Sequence, residues 1–187
     1  AILGDYIEYD GSVLVIDPSG RGQDETAYAV VKMLNGYLYV SDCSGIQGGY
    51  DETTLTKLCN IAKEHKVNAV LVESNFGDGM FTELLKPFLK KIYPVTTEEV
   101  RHSKQKELRI IDTLEPVMNQ HKLVFDPKVI QKDFDSVQHH PPEKAQRYML
   151  TYQMTRITKD RGSLAHDDRL DALAMGVAYW VEQMAAD

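Results

Sequence analysis

The sequence predicts a mixed-sheet α/β domain, and three observations carry that prediction. Strand-like runs joined by a tight hairpin signal open the chain, helices then alternate with short β-branched runs, and a long amphipathic helix closes it. At 187 residues, with 43% hydrophobic and 26% charged content, the chain is long enough for one globular domain with a real core.

The elements follow in order. Residues 1–11 are a polar, Tyr-containing lead-in read as a linker, and residues 12–187 are read as the domain. Val13-Leu14-Val15-Ile16 is an apolar run with three β-branched members, the pattern of a strand buried on both faces. It ends on Asp17, and Pro18 and Gly20 stop it; residues 20–25 make a charged, Gly-rich turn. Residues 26–33 read as a second strand, and Asn35-Gly36 before Tyr37-Leu38-Tyr39-Val40 is a strong hairpin signal, so the first three strands form an antiparallel meander.

After a Gly-rich loop, Asp51 caps a helix whose inner face is Leu55, Leu58, Cys59 and Ala62. Residues 67–72 are a short β-branched run ending at Glu73. Residues 80–91 read as a helix that Pro87 interrupts or delays, and residues 92–95 as a strand. Residues 103–121 are helical, with Leu108, Ile111, Leu114 and Met118 on one face and Pro116 expected to kink or shorten them. Asp126-Pro127 starts a further helix with Ile130, Phe134 and Val137 inward. Residues 148–158 alternate as a strand or ribbon would, and residues 168–184 form the clearest amphipathic helix.

Composition sets bounds on function. The net charge of −7 argues against tight, purely electrostatic binding to nucleic acid, although it permits transient contact once cations neutralise clustered carboxylates. No apolar run approaches a bilayer span and no charged-then-apolar leader opens the chain, so no membrane association is expected. Cys43 and Cys59, without C-x-x-C spacing, read as free thiols in a reducing compartment. The first residue is Ala1 rather than Met, which suggests a piece of something longer.

The chemistry points to carboxylates. Asp17 and Glu73 each close a strand, and if those strands are neighbours both side chains emerge at one sheet edge. A third cluster, His166-Asp167-Asp168-Arg169-Leu170-Asp171, opens the last helix, with Asp168 and Asp171 three residues apart on one face. Acidic residues there also suit the helix dipole, a plain structural account of Asp167 and Asp168; Asp171, on a face with Ala174 and Ala178, is harder to explain that way. Four carboxylates converging without basic partners would repel one another unless hard divalent cations, Mg²⁺ or Mn²⁺, sat among them. Two such ions about 4 Å apart can clamp the attacking and leaving oxygens of a phosphodiester.

Lys104, Lys106 and Arg109 near a helix start are candidates for backbone phosphate, and Arg156, Lys159 and Arg161 form a second basic group. A solvated helical face accounts for each of them singly about as well. His166 is a candidate for orienting a ligand or moving a proton, with helix capping as the simpler role.

These motifs carry a resemblance. A strand ending I-D-P-S-G, a later one ending V-E-S-N and a helix opening H-D-D-R-L-D-A-L-A resemble the RNase H-like nucleases, and the D-x-x-D-A-L-A helix is similar to that of Holliday-junction resolvases. The run from Ser103 to Ile110, with Leu114-Glu115-Pro116 and His121 to Phe125, resembles the nuclease domain of the large terminase subunit of short-tailed, podovirus-type bacteriophages. The likeness covers nearly all of residues 12–187.

It implies an RNase H-like mixed sheet and an endonuclease of little sequence specificity, using two Mg²⁺ or Mn²⁺ ions to cut concatemeric viral DNA during packaging. It makes Asp17, Glu73 and Asp168 the metal-binding triad and Asp171 a fourth ligand, with Asp167 an alternative register. It further implies double-stranded DNA, an N-terminal ATPase motor domain, the portal and the small terminase subunit as partners, in the cytoplasm of an infected bacterium. The sequence departs from the whole subunit in having no G-x-x-x-x-G-K-[ST], so ATP hydrolysis is not expected of it. Three other readings stay open on the residues alone: a dimeric junction resolvase, a non-catalytic docking module of the packaging motor, and an actin-like ATPase half sharing the first-strand Asp.

Overall fold

The computed structural model describes residues 8–18, 25–74 and 79–186. Residues 20–24 of the expected turn and most of the lead-in fall outside them. A six-stranded sheet runs in the order β5-β4-β1-β2-β3-β6. Strands β1 (Gly11–Asp17), β2 (Thr26–Leu34) and β3 (Tyr37–Ile46) are the antiparallel meander. Strand β4 (Ala69–Glu73) lies parallel to β1, β5 (Thr96–Val100) parallel to β4, and β6 (Leu123–Phe125) parallel to β3. Asn35 and Gly36, both at positive φ (53° and 80°), make the hairpin turn between β2 and β3.

Both faces of the sheet are covered, as the continuous apolar run in β1 requires. Leu14 and Ile16 face α1 (Glu52–Glu64) and α2 (Met80–Ile92) in one core. Val13 and Val15 face α3 (Lys106–Asn119) and α7 (Asp168–Ala186) in the other. Helix α7 lies across β1, β2 and β3 at close range: a Cβ at Gly176 would stand 2.7 Å from Val31 Cγ2. Both cysteines are free and buried, and no described helix is long and apolar enough to cross a membrane.

Several local expectations change. Residues 148–158 form no strand: after the short helix α5 (Pro142–Ala145) they hold the end of a 3-10 turn (Gln146–Tyr148) and a helix, α6 (Leu150–Arg156). The cause is tertiary. Asp133, on α4 (Pro127–Asp135), accepts the N–H groups of Leu150 and Thr151 at 2.7 and 2.9 Å, so the start of α6 is capped from a distant helix. The same contact turns α4, so Val129, Asp133 and Val137 are buried while Ile130 and Phe134 are exposed.

Residues 92–95 are not a strand either. Helix α2 continues through Pro87 to Ile92, and the strand is Thr96–Val100, a largely exposed edge without an apolar run to announce it. Pro116 sits in the last turn of α3 without breaking it. The inner face of α3 is Glu107, Ile110, Leu114 and Val117, a rotation from the expected Leu108, Ile111 and Met118. Lys106 and Arg109 are thereby aimed at α7.

Candidate metal centre

The centre assembles where three elements end or begin. Strands β1 and β4 are parallel neighbours with Ile16 opposite Val72, so Asp17 and Glu73 leave the sheet side by side. Helix α7 starts over the same edge, its first turn closed by the Asp171 N–H on the Asp167 carbonyl at 2.8 Å. One carboxylate oxygen each from Asp17, Glu73 and Asp171 lies within 4.8 Å of the others. Asp171 is fully buried, Glu73 buried and Asp17 half-buried. Asp168, half-buried, falls outside that trio, yet its charge acts on Asp17.

Electrostatics show how tightly these groups are packed. Burial raises the Asp17 carboxyl well above its ordinary range, and the charges of Glu73, Asp168 and Asp171 push it further. Burial and the charge of Asp171 also raise the Glu73 carboxyl, against a lowering hydrogen bond with Asp17 and the positive charges of Lys106 and Arg109. Asp167 is raised by burial despite its bond from Lys106.

The expectation of carboxylates without basic partners is corrected. Arg109 Nη1 donates to Asp171 Oδ1 at 2.7 Å, and Lys106 Nζ donates to Asp167 Oδ1 at 3.3 Å and lies 3.9 Å from Asp171 Oδ2. Burial alone would lower Lys106, but the charges of Asp167, Asp171, Asp17 and Asp168 outweigh it and raise its ammonium. Among the described residues two cations still face five carboxylates, a formal balance of −3.

The donor set fits hard divalent cations. Oδ2 of Asp17 and Oδ2 of Asp171 are buried without a hydrogen-bond partner among the described residues. A buried carboxylate oxygen that accepts no hydrogen bond is costly, and an oxygen-only trio suits a hard divalent cation.

Residues 16–123 match the family model "Terminase Bacteriophage T7, Ribonuclease H-like domain". The chain belongs to this family. The terminase-family chain is also 47% identical over 180 residues to the large terminase subunit of Enterobacteria phage T3, covering 96% of the chain and 31% of that protein. It thus spans under a third of the relative's length. Its fold is that of the human cytomegalovirus terminase nuclease domain, Mn-soaked and inhibitor-bound (TM-score 0.64, 13% identity, covering 96% and 87% of the two chains). It also matches the nuclease domain of the large terminase subunit gp2 of bacterial virus Sf6, a K428A mutant with manganese and beta-thujaplicinol (TM-score 0.58, 15% identity, covering 90% and 88%). The expected RNase H-like mixed sheet is therefore observed.

The remaining candidates of the terminase-family chain divide by position. Lys106 and Arg109 point into the centre, whereas Lys104 is exposed and paired with Asp112 at 3.4 Å. Lys159 is held beside the α3 start through its carbonyl, which accepts from Gln105 Nε2 at 3.1 Å; Arg161 follows it on the same exposed loop. Arg156 lies on α6 with its guanidinium over the Tyr152 ring. His166 stacks on Tyr148 with ring centroids 4.0 Å apart, in a column that continues to His140.

Sequence reasoning missed His102. Its Nε2 is buried without a hydrogen-bond partner among the described residues, and burial together with Arg109 lowers its pKa. Because Glu73 pairs with Val100, the end of β5 opens at the same edge as Glu73, and His102 follows two residues later. Placing β5 correctly would have revealed it.

Proposed function

We propose that the chain is a divalent-metal-dependent DNA endonuclease, the cutting domain of a viral packaging motor. The observation that carries this is the trio Asp17, Glu73 and Asp171 at one sheet edge, where a buried oxygen of Asp17 and one of Asp171 accept no hydrogen bond among the described residues. The family, and the manganese named for the Sf6 and cytomegalovirus domains, support it. Asp17, Glu73 and Asp171 would hold the ions, with Asp168 at their margin and Asp167 turned toward Lys106. Mg²⁺ or Mn²⁺, two ions in our reading, supplies Lewis-acid activation of water and stabilisation of the leaving oxygen when bound.

The protein's own part is placement. Asp17 and Glu73 sit on rigid strands, and Arg109 orients the Asp171 carboxylate. Lys106 supplies a positive charge where a scissile phosphate approaches. Lys159 and Arg161, with Lys104 beyond them, form an exposed basic rim that can take the flanking backbone, while Arg156 lies farther out on α6. These are backbone contacts, and no base-reading element is added to the sheet among the described residues, so sequence specificity is low. The substrate is concatemeric duplex DNA in the cytoplasm of an infected bacterium, and the partners are an ATPase motor domain, the portal and the small terminase subunit.

Supercoiled plasmid incubated with Mg²⁺, Mn²⁺ or EDTA tests the reading, with Asp17→Ala alongside. Nicking and linearisation with either metal, abolished by EDTA and reduced at least about 100-fold by the substitution, is the expected result. Cutting that survives EDTA, or Asp17→Ala cutting at the normal rate, would contradict it.

A further inference from the structure

Arg169 stands between the acidic residues of α7 in sequence and on the other side of the helix in space. It is fully buried and carries four hydrogen bonds. Nε and Nη2 donate to the two oxygens of Glu25 at 2.6 and 2.9 Å, a bidentate fork. Nη1 donates to Asp133 Oδ1 at 2.9 Å and to Ser136 Oγ at 2.8 Å. The Glu25 carboxylate lies over Gly45 of β3, where a Cβ would collide with it.

Stability is a poor account of this arrangement. A buried guanidinium with two carboxylates carries a heavy desolvation penalty, and apolar residues of like volume often hold a fold as well. Direction is what the cluster supplies. Glu25 immediately precedes β2, and Ala27 of β2 is the register partner of Asp17. Arg169 is two residues, about 200° of helix, before Asp171. A fork between them therefore fixes the roll of the first α7 turn against the strand pair that carries Asp17.

The geometry points to Arg169 and Glu25 as positioning residues of the metal centre, holding Asp171 at ligand distance from Asp17. This rests on the metal-centre reading above. Asp133 serves a different end: besides Arg169 it accepts from Leu150, Thr151 N–H and Thr151 Oγ1, and so organises the start of α6.

The two carboxylates can be told apart by Mn²⁺ titration of the chain, followed by the electron paramagnetic resonance signal of the free ion, with thermal melting of each variant in EDTA. Glu25→Gln removes the fork and is expected to weaken Mn²⁺ binding by about tenfold or more, the usual scale for groups that orient metal ligands. Asp133→Asn is expected to lower Tm and leave the Mn²⁺ affinity unchanged. Arg169→Lys, which keeps the charge and loses the fork, is expected to repeat the Glu25→Gln loss, and it decides the matter if Glu25→Gln fails to fold. Wild-type affinity in Glu25→Gln or Arg169→Lys would overturn the proposal, as would an affinity loss that simply follows Tm through all three variants. A wild-type chain that takes up no Mn²⁺ would instead overturn the metal-centre reading itself.

Discussion

Asp17 shows how one residue is pulled by two demands. Its strand buries it, and three neighbouring carboxylates make its ionisation costly, so its proton is held well above the ordinary carboxylate range. In the metal-free chain the sign follows from linkage. A pKa raised by folding contributes stability that is complete below the unfolded value near 4 and is lost as pH rises through the folded value. Asp17→Asn escapes that loss. In EDTA it should melt with the wild type near pH 4 and above it at pH 8. A tenfold weaker acid in the folded chain corresponds to about 1.4 kcal/mol, or about 4 °C for a chain of this size. Saturating Mn²⁺ should cancel or reverse the difference. Melting curves across pH check this, and a variant less stable at pH 8 would contradict it. Asp17 and Glu73 could be read from sequence because each ends a β-branched run. Lys106 and Arg109 were legible as candidates for phosphate, but their pairing with Asp167 and Asp171 was not, because it exists only once α3 is set against α7.

At the scale of elements, local rules succeeded where local signals decide the outcome. The Asn35-Gly36 turn, the Asp51 cap (Thr54 N–H to Oδ1 at 2.8 Å) and the Asp126-Pro127 helix start were all legible. They failed where a distant residue decides. Helix α6 is begun by Asp133, and α4 turns its apolar Ile130 and Phe134 outward because Asp133 is committed inward. Helix α7 was legible throughout, but its closeness to the sheet depends on Gly176. Alanine there gains about 1 kcal/mol of helix propensity. Against that, its Cβ meets the buried, β-branched Val31, and overpacking costs about 1–3 kcal/mol. Gly176→Ala should therefore lose about 1 kcal/mol, roughly 3 °C in Tm. It should also weaken Mn²⁺ binding, because the helix that carries Asp171 is lifted from the strand that carries Asp17. Calorimetry and Mn²⁺ titration measure both, and a stabilised variant with unchanged affinity would contradict the account.

For the whole molecule, charge and extent set the terms of function. A net charge of −7 opposes duplex DNA, and only part of the basic rim lies near the centre. The chain spans 31% of its T3 relative. We expect it to bind duplex DNA weakly at physiological salt and to depend on tethering, which raises the effective DNA concentration at the centre. Fluorescence anisotropy with a short duplex in Ca²⁺ tests this, and nanomolar affinity at about 150 mM salt would contradict it. The central claim is that carboxylates from β1, β4 and α7 meet to hold divalent cations. Anomalous diffraction from Mn²⁺-soaked crystals tests it most directly. The account predicts a peak about 2.0–2.3 Å from oxygens of Asp17, Glu73 and Asp171. Peaks confined to other carboxylates, with this trio metal-free, would contradict it.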